Sequence, residues 1–283
     1  MYCRLVWSTI IDLDALDGIP SEEQMSPSVA PETIYGEMLL EVAGLYLGTR
    51  QINEFGLRQL KVRADRLCAV DAVAGAEIKG HIALLSGDSD AGCQLLDRAL
   101  SMAGSSAEAT LRYMQGLQQR GFSSEVADVF FRNAHAFAGN VTATREARQM
   151  LASHGFLDAA NDLRIELTKM NASVPEVSYA PGEHLLAYFD GDGVADSDTA
   201  PVVAFARNFL YQKGVLLHRV GISVVPASDG MPSALLYELR VEASMDRAAE
   251  LEWDLYGELE AQRFPFELNR RILFSVTAHS TES

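Results

Sequence analysis

The sequence predicts two parts, an α-helical array of hairpins over residues 36–171 and an α+β domain over residues 184–283. In the first part, turn residues recur every 34 residues, and each follows an apolar-periodic stretch of helix length. In the second part, strand-like and helix-like segments follow in the order β-α-β-β-α-β. An acidic N-terminal arm (residues 1–35) and a linker (residues 172–183) complete the predicted organisation.

Three glycines that are 34 residues apart, Gly87, Gly121 and Gly155, punctuate the helical part. A glycine directly after a helix suits the left-handed conformation that ends many helices, so each marks the joint of a hairpin. One step earlier the sequence has Asn53, the next-best residue for such a joint. The spacing therefore predicts four helix–break–helix units. An irregular helical bundle whose glycines share this spacing by chance is the alternative interpretation.

The 34-residue period resembles that of the tetratricopeptide repeat (TPR) family, over roughly half the chain. Residues that match the family's signature positions are Gly80, Leu96 and Ala99 in the first full unit, Tyr113, Leu117 and Phe130 in the second, and Ala147, Leu151 and Ala160 in the third. The proline that usually closes each unit is absent. The resemblance implies an α-solenoid in which the first helix of each unit lines a concave face.

Polar side chains step along that implied concave face. The 34-residue step relates Leu47, His81, Gln115 and Gln149, and Gln119 lies four residues after Gln115 in the same helix. Amide side chains can hydrogen-bond to an extended peptide or to a partner helix. We therefore predict that His81, Gln115, Gln119 and Gln149 bind a protein partner. A solvated polar face is the alternative interpretation.

The C-terminal part has the element order of a ferredoxin-like sandwich. Strands are predicted over residues 184–189, 215–225, 234–243 and 270–278, and helices over residues 200–214 and 244–262. Two right-handed crossovers would place both helices on one face of a four-stranded antiparallel sheet. Leu251, Leu255 and Leu259 form the apolar stripe of the second helix, and Trp253 and Tyr256 are predicted to lie in the core.

An acidic loop, "YFDGDGVADSDTAP" (residues 188–201), allows three interpretations. Asp190, Asp192, Asp196 and Asp198 are candidate ligands of a hard cation such as Ca²⁺. The stretch also resembles the first motif of haloacid dehalogenase-type phosphatases, which would make Asp190 the nucleophile and Asp192 the acid/base. The third interpretation is a turn, in which Asp198 or Thr199 caps the next helix. The turn is favoured, because the EF-hand pattern fails and only 93 residues follow Asp190. No metal is therefore predicted.

Charge and composition limit the classes of partner and the compartment that the sequence predicts. The net charge is −16, of which residues 1–35 carry −5 and residues 172–200 carry −6. No basic segment suits a phosphate backbone, so nucleic acid is not a predicted partner. No apolar run approaches the ~20 residues that span a bilayer, and the N-terminus lacks the features of a signal peptide. The three cysteines are scattered. A cytoplasmic protein without a membrane partner is predicted.

No enzymatic activity and no cofactor are predicted, because the sequence has no Gly-rich phosphate loop, no HExxH motif and no nucleophile elbow. The predicted function is that of a non-enzymatic adaptor or regulator, which binds a protein or peptide on the helical repeats. The acidic arm and linker would suit a basic partner. In the alternative, the C-terminal domain binds a small molecule or forms a homodimer and the repeats are scaffold. A metal-dependent hydrolase at Asp190 and Asp192 is the third possibility.

Overall fold

A computed structural model describes residues 31–172, 194–228 and 232–279 of the chain. The chain divides into two compact units, Met1–Arg120 and Gly121–Ser283. The described part of the first unit is wholly helical apart from its joints, and the described part of the second combines helices with a small sheet. A helical N-terminal part followed by an α+β part therefore matches the predicted class.

The first unit consists of consecutive helices that pack as hairpins. They are α1 (Pro31–Tyr46), α2 (Glu54–Val70), α3 (Ala72–Leu85), α4 (Ser89–Ala103) and α5 (Ala107–Gln119). Helix α3 is central, since it contacts each of the other four. Its side chains are mostly buried, and Ile78, Ile82 and Leu84 are each at most 1% exposed. A helix that is apolar on most of its faces is expected at such a central position.

Glycines let α3 and α4 approach closely. A Cβ atom on Gly80 would lie 2.6 Å from Leu96 Cγ and 3.1 Å from the carbonyl oxygen of Gly92. A Cβ atom on Gly92 would lie 2.7 Å from Leu84 Cδ2 and 3.1 Å from the carbonyl oxygen of Gly80. The two backbones therefore meet at this pair, where any larger residue would push the hairpin apart.

The predicted helix breaks are confirmed at the three glycines, where φ is +85° at Gly87, +81° at Gly121 and +87° at Gly155. At Gly87 and Gly155 the flanking helices also pack on each other as hairpins. Asn53 differs from its prediction. It is the N-cap of α2, and its side chain accepts a hydrogen bond from the Gly56 amide at 2.8 Å. Asparagine is favoured both as an N-cap and in the left-handed conformation after a helix. Here it is the N-cap, and its side-chain oxygen accepts from a first-turn N–H group that has no partner within the helix.

The second unit contains the remaining described elements. They are α6 (Ser123–Asn133), a 3₁₀ turn (Ala134–Phe137), α7 (Val141–Ser153), α8 (Leu157–Lys169), α9 (Asp196–Gln212), β1 (Leu217–Val225), β2 (Ala234–Val241), α10 (Met245–Ala261), α11 (Phe266–Arg271) and β3 (Ile272–Ala278). Helix α9 packs against α6, α8, α10 and β1. Helix α9 thus packs on helices from both sides of the predicted linker, whose residues 173–183 lie outside the described part of the chain.

The sheet that the structure describes has three strands in the order β1-β2-β3. Strands β1 and β2 pair antiparallel, with Ile222 opposite Tyr237, and β2 pairs parallel with β3, with Tyr237 opposite Phe274. In a ferredoxin-like sheet the first strand lies between these last two strands. Their direct pairing leaves no position for it, so this part of the prediction is wrong. The predicted strand 184–189 lies outside the described residues.

Candidate functional site

The four residues predicted to bind a partner do not form an exposed ladder. His81 is fully buried and Gln115 is 5% exposed in the first unit. Gln119 is half-buried in the same unit, and Gln149 is half-buried in the second unit. The premise that these side chains face solvent is therefore wrong for His81 and Gln115. The physical reason is that α3 is flanked by both α1 and α5, which cover this face of the helix.

A buried ionic cluster joins these three helices. The Glu77 carboxylate on α3 accepts a hydrogen bond from Tyr35 Oη on α1 at 2.6 Å. It also accepts two from the Arg112 guanidinium on α5, at 2.5 Å and 3.1 Å. Burial raises the pKa of Glu77, but the hydrogen bonds and the charge of Arg112 outweigh it and hold that pKa below its usual value. The cluster is thus an ion pair between neighbouring helices that fixes their register.

His81 lies beside this cluster, in contact with Tyr46 of α1. The Tyr46 hydroxyl is 3.3 Å from His81 Nδ1, and the two rings meet edge to face with centroids 5.8 Å apart. Gly116 of α5 allows this packing, because a Cβ atom there would lie 2.9 Å from His81 Nδ1. The pKa of His81 is lowered to about 4, chiefly by burial; the charge of Glu77 opposes this shift and that of Arg112 adds to it.

The neutral form of His81 should make stability depend on pH. Because its pKa of about 4 in the folded state lies below the ordinary 6.5, its contribution is complete above pH 6.5 and is lost as the pH falls towards 4. We expect about 2 kcal/mol less stability at pH 5 than at pH 7 from this residue. In denaturant unfolding at several pH values, His81→Gln should flatten the dependence. His135→Gln, at an exposed position, is the control, and an unchanged slope in His81→Gln would contradict the assignment.

The acidic loop is only partly described. Asp190 and Asp192 lie outside the described residues, and Asp196 and Asp198 lie in the first turn of α9. The prediction that Asp198 or Thr199 caps this helix is wrong, since α9 begins at Asp196 after Ala195, which makes no side-chain capping bond. Within the described residues, no group of three or more His, Cys, Asp or Glu side chains could hold a metal ion.

Asp196 takes part in a reciprocal capping arrangement. Its carboxylate accepts hydrogen bonds from the backbone N–H groups of Asp158 at 2.7 Å and Ala159 at 3.1 Å, in the first turn of α8. The Asp158 carboxylate in turn accepts one from the Asp196 N–H group at 3.3 Å. Burial raises the pKa of Asp196, although these backbone hydrogen bonds lower it in part. Each aspartate therefore caps the helix of the other, which orients α9 against α8.

The most exposed aromatic side chain that the structure describes is Trp253 on α10, which is 83% exposed. The apolar stripe of α10 is confirmed, because Leu251, Leu255 and Leu259 are buried. The prediction that Trp253 lies in the core is wrong, and Tyr256 is 40% exposed. The sequence held a signal for this: Trp253 is two residues after Leu251, which places it about 200° around the helix from the stripe.

Side chains of α10 also cover the edge of β3. The Tyr256 hydroxyl accepts a hydrogen bond from the Phe274 N–H group at 3.0 Å and donates one to the Phe274 carbonyl at 2.7 Å. The Glu252 carboxylate accepts one from the Val276 N–H group at 2.6 Å. These groups occupy the positions that a neighbouring strand would take.

Two clefts flank Trp253. One has a volume of about 440 Å³ and is lined by residues that include Met245, Glu252, Trp253, Tyr256 and Thr277. The other has a volume of about 360 Å³ and is lined by residues that include Val202, Trp253, Tyr256, Glu260 and Ile272. Together with the exposed face of α10 they form a surface that we call the Trp253 surface. Each cleft is large enough to take apolar side chains of a partner.

Comparison of the chain with protein-family models, with curated proteins and with solved structures finds no match. Among the described residues, no helix combines the length and the apolar character that crossing a bilayer requires.

Proposed function

We propose that this protein is a non-enzymatic adaptor or regulator that binds another protein through the Trp253 surface. The observation that carries the proposal is the 83% exposure of Trp253 between two clefts. Tryptophan is enriched among the residues that dominate protein interfaces, and exposing its ring to water has no benefit for folding. Met245, which is 80% exposed on the same helix, extends the apolar surface.

The helical hairpins act as the scaffold in this proposal, and we assign them to a TPR-like solenoid. Three features support the assignment: the 34-residue step, the positive φ at Gly87, Gly121 and Gly155, and the close packing of Gly80 against Gly92. Gln119 in the first unit and Gln149 in the second are half-buried, and each remains a candidate contact residue within its own unit. His81 and Gln115 are assigned to packing instead.

The chemistry of the clefts supports binding over catalysis. Neither lining, among the residues that the structure describes, contains a His, Cys, Ser or Lys side chain. Glu252 is engaged by the Val276 N–H group, and the Tyr256 hydroxyl is engaged by Phe274. Both groups therefore hydrogen-bond to the backbone of β3. Among the described residues, neither lining pairs a nucleophile with a base.

Site-specific photo-crosslinking tests the proposal. p-Benzoylphenylalanine is placed at position 253 in one variant and, as a matched control, at position 55, where Phe55 is 68% exposed in the other unit. We expect one cross-linked protein from cells of the source organism at position 253 and none at position 55. That protein, once purified, should bind the native chain in a defined stoichiometry.

Trp253→Ala is the accompanying variant. Because the side chain is largely exposed, the free energy of unfolding should change by less than about 0.5 kcal/mol. Binding of the purified partner, measured by calorimetry, should weaken about 30-fold or more, the effect of losing a dominant interface residue. Equal cross-linking at positions 253 and 55, or unchanged affinity in Trp253→Ala, would refute the proposal.

A further inference from the structure

The Trp253 surface is strongly acidic. Helix α10 carries six acidic side chains and one basic side chain, a net charge of −5. Two of the acids are paired, Asp254 with Lys213 at 3.1 Å and Glu250 with Arg247 at 3.0 Å. Each cleft has one carboxylate in its described lining, Glu252 or Glu260, and no basic residue. A complementary partner therefore brings positive charge.

The same charge argues against a second copy of the chain as the occupant. In a symmetric dimer, a patch meets its own copy, so α10 would face α10 and the acids of both would approach each other. Like charges that face each other across an interface destabilise the complex. A partner with Lys or Arg side chains instead gains from the field of the helix.

The form of the partner follows from the edge of β3. An added strand needs free N–H and C=O groups along a sheet edge. Here Tyr256 occupies both groups of Phe274, and Glu252 occupies the N–H group of Val276. The partner must then engage through side chains that enter the clefts, which is how an amphipathic helix binds in a groove.

Spacing along α10 sets the pattern of that helix. Glu252 and Glu260 are eight residues apart, about 12 Å along the axis, with Trp253 between them. We infer that the Trp253 surface binds a basic amphipathic helix, whose apolar residues contact Trp253 and enter the clefts and whose Lys or Arg residues, about two turns apart, lie near Glu252 and Glu260. This inference rests on the proposed function, because it names the class of partner for the same surface.

Model peptides of defined charge test the inference. The probe is an amphipathic helix made of three repeats of Leu-Lys-Lys-Leu-Leu-Lys-Leu, and its counterparts have Glu or Gln in place of every Lys. Binding is followed by Trp253 fluorescence in a Trp7→Phe background, where Trp253 is the only tryptophan. We expect the Lys peptide to bind at least tenfold more tightly than either counterpart, with an affinity that falls as salt is raised.

Variants of the full chain locate the binding. In calorimetry, Trp253→Ala should weaken binding of the Lys peptide about 30-fold. Glu260→Lys should weaken it about tenfold, since it reverses a charge in the cleft lining. Glu258→Lys is the matched control, because it makes the same change of net charge on the same helix at a residue outside both linings, and a loss of about twofold is expected.

The outcomes separate the inference from the proposed function. Tight, Trp253-dependent binding of the Glu or Gln peptide would overturn the basic partner but keep the docking surface. If Glu258→Lys and Glu260→Lys lose the same affinity for the Lys peptide, only the overall charge of the helix attracts the peptide, and the inference is overturned. Trp253-dependent binding to phosphatidylcholine vesicles would make a membrane, and not a partner helix, the occupant of the surface. Trp253-dependent dimers in sedimentation would make a second copy of the chain the occupant. Absence of peptide binding overturns the inference alone if position 253 still cross-links, and both proposals fail if it does not.

Discussion

Arg112→Met is expected to lower the free energy of unfolding by about 3–5 kcal/mol. The side chains of Arg112 and Glu77 are only 12% and 6% exposed, and Arg112 supplies two of the hydrogen bonds that the Glu77 carboxylate accepts. Without the guanidinium, the carboxylate remains buried with only the Tyr35 hydroxyl bound to it. The loss should appear in urea unfolding at pH 7 as a lower midpoint with an unchanged slope.

A double variant controls for this prediction. Glu77→Leu combined with Arg112→Met removes both charges and replaces them by apolar side chains, so the cost of a buried, unpaired carboxylate disappears. We expect the double variant to be more stable than Arg112→Met alone, within about 2 kcal/mol of the native chain. If both variants lose the same stability, the effect of Arg112 is one of packing and the ionic interpretation fails.

Gly155→Ala is expected to cost about 3–5 kcal/mol, for two reasons that add. The φ of +87° lies in the left-handed region, where a side chain is strained. In addition, the new Cβ atom would lie 2.8 Å from Ala200 Cα and 3.0 Å from the Thr199 carbonyl oxygen, both backbone atoms of α9. Backbone cannot move aside as a flexible side chain can, so the turn between α7 and α8 would be pushed away from α9.

Gly139→Ala is the matched control for that variant. It lies in the same unit with a φ of +79°, and nothing lies within 4 Å of its Cβ position. It should therefore cost only the conformational strain, about 1–2 kcal/mol. Thermal and urea unfolding of both variants separate the two terms. Equal losses at positions 139 and 155 would show that the close approach to α9 is relaxed in solution.

The packing at Gly155 also connects the acidic loop to the proposed binding surface. Asp158 and Asp196 cap each other's helices next to this glycine, and this arrangement orients α9. Helix α9 then contributes Val202 to the smaller cleft of the Trp253 surface. The described end of the acidic loop is thus a structural element that helps to shape the candidate interface.

Local features were readable from the sequence because they depend on neighbouring residues. The helix breaks at Gly87, Gly121 and Gly155 follow from backbone conformation, which each residue largely determines for itself. The buried stripe of Leu251 and Leu255 follows from helical periodicity. The same periodicity placed Trp253 on the opposite face. The general tendency of large aromatic residues to be buried favours the core instead, and at Trp253 the structure follows the periodicity.

Features that depend on distant partners were decided by the tertiary structure alone. His81 is buried because α1 and α5 both cover α3, and Asp196 caps a helix whose first turn lies 38 residues earlier in the chain. Strand propensity likewise predicts strands over residues 234–241 and 272–278. It does not predict that these two strands pair directly. Which groups meet across such distances is set by the packing of the whole unit. That packing buried His81 and Gln115 of the predicted polar ladder and, in the other unit, left one face of α10 open.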